Sequence, residues 1–326
     1  MRKVLLFRLD YILAKLKLPI DELQFLFSTK LNLEPRLRDI RDFLEVVRDT
    51  IYRSPRRSAS RFMSRTSGGN IRRGLELFSR FLISGNTKIK EILETYRGYG
   101  SYTIAEHQFV KSIVLGNYRY YSEEFSYLMN IFDFNPEFFN GHFLKLKILQ
   151  YAEERVTDSS PFGRGYISIN RLIEEASHLL ISPEAIEDAI LKMAKYGLIL
   201  LDTRSKTDLK GASHFKITEC GNYYLRVLPN RFSYIDLVLA DTPIADIDLV
   251  KRLRSMLPNR NLDVRFERTK LFIEYLKEME KREFQANQGY QASPLGKFQF
   301  TSKMESNLEK EKQYITERIK QKIYRF

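Results

Sequence analysis

The sequence predicts a mainly helical protein: a helical bundle, then a small α+β domain, then a set of C-terminal helices. Three observations support this fold class. Apolar residues recur at helical spacing over most of the chain, cap and stop residues punctuate these runs, and short β-rich segments occur only after residue 138. With 326 residues and 43% apolar content, the chain is long enough for two or three domains with hydrophobic cores.

The first part of the chain is predicted to be almost entirely helical. Pro19 and the Ser54-Pro55 pair end two of the apolar runs, and Asn70 is placed to cap the helix that follows Gly68-Gly69. The predicted helices lie at 3–17, 21–27, 35–52, 56–65 and 70–84, with two or three more over 87–135.

The pattern changes between residues 139 and 228. Ser182 and Pro183 form a strong helix start, and a polar loop from Ser205 to Ala212 joins two β-rich segments. The predicted order is a buried helix near 143–149, a strand at 166–168, helices to 180 and over 183–196, and strands at 198–202 and 214–218. A further helix covers 219–228.

The sequence also predicts how these elements are grouped. Thr242-Pro243 is expected to start an amphipathic helix, and a long charged helix follows it. The predicted segments are a helical domain at 1–135, the α+β domain at 136–230, C-terminal helices at 231–284, a flexible linker at 285–303 and a basic terminal helix at 304–326.

Positive charge is concentrated at the two ends of the chain. The net charge is +13. Residues 1–100 hold 21 Lys/Arg against 11 Asp/Glu, residues 101–264 hold 19 against 21, and residues 265–326 hold 14 against 9. The dense arginines of the first segment imply an anionic partner or an acidic neighbouring domain.

Several classes of protein are disfavoured by what the sequence lacks. The apolar runs are too short for a membrane helix or a signal peptide, and a single cysteine, Cys220, fits a cytoplasmic protein without disulfides. The four histidines are scattered, so no metal site is predicted. No G-x-S-x-G or G-x-x-x-x-G-K-[ST] motif occurs, so the chain is expected to bind no ATP and to have no catalytic residues on its own.

The sharpest local motif is the stretch Ser67-Gly68-Gly69-Asn70-Ile71-Arg72-Arg73-Gly74. Two arginines in the first turn of a helix add to its positive end, an arrangement that favours an anion. The stretch resembles the sensor 2 motif of AAA+ ATPases of the replication-initiator and STAND-like branches. That resemblance assigns Arg72 to sensing the γ-phosphate of ATP, with Arg73 as the second choice.

A second resemblance covers residues 139–228. Their element order, and the closing segment His214-Phe215-Lys216-Ile217-Thr218-Glu219-Cys220-Gly221-Asn222-Tyr223-Tyr224-Leu225, are similar to a winged helix. A sensor 2 lid followed by a winged helix is the domain order of initiator-type ATPases. The combined resemblance implies a non-catalytic lid and winged-helix module, with ATP held by a separate P-loop domain. The missing P-loop leaves open a truncated, split or internally started gene.

The partner of the winged helix is left open between DNA and protein. Its second helix begins with Glu184, Glu187 and Asp188, which phosphates would repel. Two other hypotheses remain: a free-standing nucleic-acid-binding regulator, in which the long helix gives an oligomer, and a structural adaptor. The candidate nucleic-acid-binding residues are Arg56, Arg57, Arg61, Lys192, Lys195, Arg204, Lys206 and Lys210.

Overall fold

A computed structural model describes residues 1–18, 34–53, 58–136, 141–179, 181–203, 209, 211–286 and 294–323. Within these residues the protein is mainly helical, as predicted, with one small three-stranded antiparallel sheet. The chain divides into Met1–Arg119 (unit 1) and Tyr120–Phe326 (unit 2). This division falls before residue 135, where the sequence predicts the end of the helical domain.

Unit 1 contains six described helices. They are α1 (Arg2–Lys15), α2 (Glu34–Arg53), α3 (Ser58–Thr66), α4 (Ile71–Ile83), α5 (Ile89–Tyr99) and α6 (Glu106–Leu115). Helix α2 packs against α1 and α5, while α3 packs against α4 and α6. The predicted helix at 21–27 lies outside the described residues.

Aromatic rings from three helices form the core of unit 1. The rings of Phe81 in α4 and Phe109 in α6 are stacked, with centroids 4.0 Å apart. Phe43 in α2 and Phe78 in α4 each lie 6.4 Å from Phe81. All four side chains are buried. Large rings in mutual contact contribute both apolar burial and ring-ring attraction, so this stack fixes how the three helices meet.

In unit 1, arginine side chains of one helix donate hydrogen bonds to backbone carbonyls near the C-terminal end of a neighbouring helix. The bonds run from Arg2 to the carbonyls of Ile51 and Tyr52 (3.3 and 3.0 Å), from Arg41 to Leu16 (2.6 Å), and from Arg80 to Ile113 (3.1 Å). The acceptors lie at the C-terminal ends of α2, α1 and α6, where carbonyl groups lack helical partners and the helix dipole is negative. Part of the predicted arginine field therefore stabilises the fold.

Unit 2 contains the sheet and eight described α-helices. In chain order the elements are α7 (Leu144–Glu154), β1 (Ile167–Ser168), α8 (Ile169–Ser177), α9 (Pro183–Lys195), β2 (Ile199–Leu201), β3 (His214–Ile217), α10 (Glu219–Arg226), α11 (Phe232–Val238), α12 (Ile247–Met256), α13 (Leu262–Ala286) and α14 (Thr301–Ile323). The side-chain oxygens of Ser168, Ser182 and Thr218 cap α8, α9 and α10. Each cap satisfies a backbone N–H that has no partner within its helix.

The sheet has the strand order β1-β3-β2, with both pairs antiparallel. Phe215 in the central strand lies opposite Ile167 on one side and Leu201 on the other, and all three are buried. Leu200 and its partner Lys216 occupy the other face, because successive strand residues point to opposite sides. One face of the sheet therefore belongs to the core of unit 2.

Helix α7 is buried on all sides from Leu144 to Leu149. It packs against α9, α10, β3 and the 3-10 turn Pro294–Lys297. Two lysines share this buried helix. The Lys147 ammonium lies 2.6 Å from the Glu283 carboxylate of α13, and Lys145 faces Asp133. Charged groups at such positions require partners, so α7 determines which segments surround it.

The C-terminal helices begin at positions other than those predicted. Helix α12 starts at Ile247, because Asp246 caps it, rather than at Thr242-Pro243. The Thr242 hydroxyl instead donates to the Val238 carbonyl. Helix α14 starts at Thr301, inside the predicted linker, because the buried Glu280 carboxylate accepts hydrogen bonds from the backbone N–H and hydroxyl of Thr301.

A buried ion pair fixes α13 against α11. The Asp236 carboxylate lies 2.6 Å from Arg268 and 2.7 Å from Arg265, and its side chain is only 1% exposed. Arg268 also donates to three carbonyls at the end of α12, those of Met256, Leu257 and Asn259.

Asp236→Ala is expected to destabilise the protein by about 3–5 kcal/mol, because it leaves the buried Arg268 guanidinium without its counter-charge. Chemical denaturation followed by circular dichroism measures the free energy of unfolding. Asp248→Ala is the matched control, since this carboxylate is 92% exposed and pairs with Lys251. We expect the control to cost less than about 1 kcal/mol. Equal losses in the two variants would contradict the assignment.

Candidate functional site

The turn between α3 and α4 is formed by residues 67–70. Gly68 and Gly69 have φ angles of 58° and 78°, a region that residues with a side chain rarely adopt. The chain then enters α4 with Asn70 as its cap, whose side chain accepts a hydrogen bond from the backbone N–H of Arg73 at 3.1 Å. The cap predicted from the sequence is thus present.

Arg72 points outward from the first turn of α4. Its side chain is 91% exposed, and its guanidinium lies 3.4 Å from the Glu76 carboxylate one turn later. The opposite side of α4 buries Gly74, Leu77 and Phe81 in the core. An exposed pair of this kind is weak, so an incoming anion can replace Glu76 at small cost.

The predicted basic residues of unit 1 that the structure describes do not all lie in this first turn. Arg73 is half-buried, whereas Arg61 is exposed on α3. Arg56 and Arg57 lie outside the described residues. Among the predicted basic residues that the structure describes, Arg72 and Arg73 lie together at the first turn of α4.

Helix α9 presents an acidic face. Glu184 and Glu187 are exposed and Asp188 is half-buried, whereas Ile186, Ile190 and Met193 are buried against the core. Beyond them the half-exposed Lys192 and the exposed Lys195 are the predicted phosphate contacts of this helix. The first half of the outer face of α9 is therefore negatively charged.

The ammonium of Lys192 is held between two carboxylates. It lies 3.2 Å from Asp133 and 3.6 Å from Asp188. Its charge is balanced within unit 2, in contrast to what the sequence suggested for a phosphate contact.

The loop after β2 holds the remaining predicted cations, Arg204, Lys206 and Lys210, and all three lie outside the described residues. The described residues on either side of this loop are joined by hydrogen bonds. The carboxylate of Asp202 accepts hydrogen bonds from the backbone N–H and hydroxyl of Ser213 and from the backbone N–H of His214. These bonds hold the ends of β2 and β3 together.

A partly buried polar cluster consists of Glu123, Asp133, Lys145 and Lys192. Lys145 is 3% exposed, donates to the backbone carbonyl of Asp133 and lies 3.8 Å from its carboxylate. Burial lowers the pKa of Lys145, and the charges of Asp133 and Glu123 oppose that shift. Sequence reasoning missed this cluster, although two lysines within the apolar run 143–149 were a signal of it.

Within this cluster, Glu123 has a pKa well above the usual range of a carboxyl group. Burial and then the adjacent Asp133 charge raise the pKa of Glu123 to about 7. Its backbone is fixed on both sides, since its N–H donates to Asp241 and its carbonyl accepts from the hydroxyl of Tyr196. A neutral Glu123 carboxyl avoids placing a second negative charge beside Asp133.

Comparison with protein-family models, with curated proteins and with solved structures finds no match to this chain. Among the described residues, no group of three or more His, Cys, Asp or Glu side chains is placed to hold a metal ion. No helix in the described part of the chain is long and apolar enough to cross a membrane.

Glu123→Gln is expected to make unit 2 less sensitive to rising pH. The folded-state pKa of Glu123 is raised, so its contribution to stability is complete below the unfolded-state pKa and is lost as the pH rises through about 7. Glutamine stays neutral, so the stability of the variant relative to the natural protein should increase by up to about 3 kcal/mol between about pH 5 and about pH 8. Denaturant unfolding at four pH values measures this difference.

Glu124→Gln is the control, because the neighbouring Glu124 is exposed. Burial lowers the pKa of His142, so its contribution has the opposite sign and is lost as the pH falls. The natural protein and both variants share the His142 contribution, so it cancels when their free energies of unfolding are subtracted. Parallel pH profiles for the Glu123 variant and the natural protein would refute the raised pKa of Glu123.

Proposed function

We propose that this chain is the lid and winged-helix portion of an AAA+ or STAND-like ATPase, acting as a regulatory module. The ATP that it senses is held by a P-loop domain outside these residues. The observation that carries the proposal is the position of Arg72. A Gly-Gly-Asn turn presents this guanidinium, 91% exposed, in the first turn of α4, where the helix end adds positive potential.

The arrangement of unit 2 supports a winged helix between residues 144 and 226. Its order is α7, β1, α8, α9, β2, β3, and the strands are arranged β1-β3-β2. A winged helix has three helices and three strands in this order, with the strand after its first helix on the edge next to the last strand. Thr218 closes the module as the cap of α10.

We propose a protein, rather than DNA, as the partner of α9. In the proposed winged helix α9 would be the recognition helix, yet its outer face begins with Glu184, Glu187 and Asp188, and Lys192 is paired with Asp133. Placing this face against phosphates would bring like charges together without counter-charges, a cost that a basic protein surface would avoid.

Arg72→Ala is expected to lower ATP turnover by the assembly of this chain with its P-loop domain by roughly 100-fold, because one charge-stabilising donor to the reacting phosphate is removed. Phosphate release is measured for this chain, for a P-loop ATPase selected because its gene adjoins that of this chain, and for the mixture. We expect turnover only where the P-loop domain is present. Metal-dependent turnover by this chain alone would contradict the proposal.

Lys90→Ala is the matched control, because Lys90 is 90% exposed and pairs with Glu94 one turn later, as Arg72 does with Glu76. We expect the rate to be unchanged in this control. Arg73→Ala is tested in parallel, and a loss confined to that variant would transfer the sensing role to Arg73. An unchanged rate in both arginine variants would remove the sensor assignment.

Substitutions on α9 are expected to leave DNA affinity within about twofold of the natural value. Lys195→Ala removes a cation and Glu184→Gln/Glu187→Gln removes two anions, so phosphate contact by α9 would shift the affinity in opposite directions by roughly tenfold. Fluorescence anisotropy with a short labelled duplex, at two salt concentrations, measures both. Opposite shifts would assign α9 to DNA and favour the free-standing regulator.

A further inference from the structure

Helix α1 has apolar residues on two opposite faces. Leu5, Leu9 and Leu13 are buried, and α1 packs along α2. On the other side Phe7 and Tyr11, one turn apart, are 73% and 59% exposed. A surface helix normally has one apolar stripe, and a helix that is apolar on both sides is typical of a buried position.

The exposed aromatics belong to a regular ladder. Lys3, Phe7, Tyr11 and Lys15 follow one another at intervals of four residues, so they lie along one face of α1. The Lys15 ammonium lies 5.7 Å from the centre of the Tyr11 ring. Two aromatic rings are thus bracketed by two ammonium groups, and this face is called the α1 ladder.

The surroundings of the α1 ladder are positively charged. Asp10 is the single acidic residue of α1, and its carboxylate lies 2.5 Å from the Arg48 guanidinium of α2. Arg8 is exposed beside the ladder. A second copy of this chain would bring the same positive charges to the contact, whereas an apolar groove with an acidic rim complements them.

The α1 ladder belongs to the same unit as Arg72. The Met1 side chain, directly before α1, contacts Gly74 in α4, so the N-terminal ends of α1 and α4 are adjacent. A partner domain that brings a phosphate to Arg72 therefore lies near the N-terminal end of α1.

We propose that the α1 ladder binds an apolar groove with an acidic rim on the P-loop domain whose ATP is sensed by Arg72. This inference rests on the proposed function and names the surface that holds the two parts together. Phe7 and Tyr11 provide the buried contact, and Lys3 and Lys15 form ion pairs at its edge. Such a contact keeps Arg72 close to the nucleotide even when Arg72 itself binds weakly.

The test measures, by titration calorimetry, binding of this chain to an ATP-loaded P-loop ATPase selected because its gene adjoins that of this chain. Phe7→Ser/Tyr11→Ser is expected to weaken binding by about 10-fold to 100-fold, because central aromatic contacts dominate such interfaces. Ile83→Ser is the matched control, since Ile83 is 72% exposed in the same unit and lies at the far end of α4. Lys3→Glu/Lys15→Glu should weaken binding and reduce its dependence on salt.

Two measurements on this chain alone test whether the α1 ladder is instead covered by the chain itself or by a second copy. Phe7→Ser/Tyr11→Ser should leave the melting temperature and the sedimentation coefficient unchanged. A lower melting temperature would mean that the ladder is covered by the chain itself, and a change from dimer to monomer would mean that it binds a second copy. Either result overturns the proposal.

The docking role and the sensing role can fail separately. Normal binding of Phe7→Ser/Tyr11→Ser, together with a slow Arg72→Ala assembly, would refute the docking surface and leave the sensor. Weak binding of the double variant together with a normal rate for Arg72→Ala would support the docking surface and refute the sensor. No binding between the two natural proteins would overturn the docking surface.

Discussion

Two buried ammonium groups on one helix determine how unit 2 is built. Lys145 and Lys147 lie on α7, which is enclosed by α9, α10 and β3. Neither charge can stay buried without a carboxylate, so Asp133 from the segment before α7 and Glu283 from α13 must come to them. These two ion pairs link α7 to the segment before it and to the long helix α13. Apolar packing alone would permit several arrangements of these segments, whereas the two charges select one.

The same reasoning changes the meaning of the net positive charge. A strongly basic sequence suggests a nucleic-acid partner, yet several arginines act on carbonyl groups at helix ends: Arg2 and Arg41 in unit 1 do so, and Arg268 in unit 2 combines this role with an ion pair to Asp236. Guanidinium groups suit this role, because several donors on one rigid plane reach neighbouring acceptors. The net charge counted from the sequence therefore overstates the positive charge that is available to a ligand. The exposed arginines and lysines lie at particular places, such as Arg72 and the α1 ladder.

The sequence predicts local features well, because caps and breakers act over a few residues. Asn70 and Ser182 both cap the helices expected of them, and the mainly helical class is confirmed. Helix starts that depend on distant partners were missed. Helix α14 begins at Thr301 because of Glu280 in α13, a contact that no local pattern reveals. The candidate site divides in the same way: Arg72 was found from a local motif, whereas the raised pKa of Glu123 arises from burial and from the charge of Asp133, which only the folded chain brings beside it.

The glycine pair before α4 has an implication for how unit 1 tolerates change. A side chain added at Gly69 would meet no atom within 4 Å, so crowding does not require glycine there. What requires it is the backbone angle, with φ at 78°. A substitution would therefore raise the energy of this turn without disturbing the aromatic core beneath it. The angle between α3 and α4 depends on the backbone torsions of one or two residues in this turn. Substitutions there would therefore change the direction of Arg72 and leave the rest of the bundle folded.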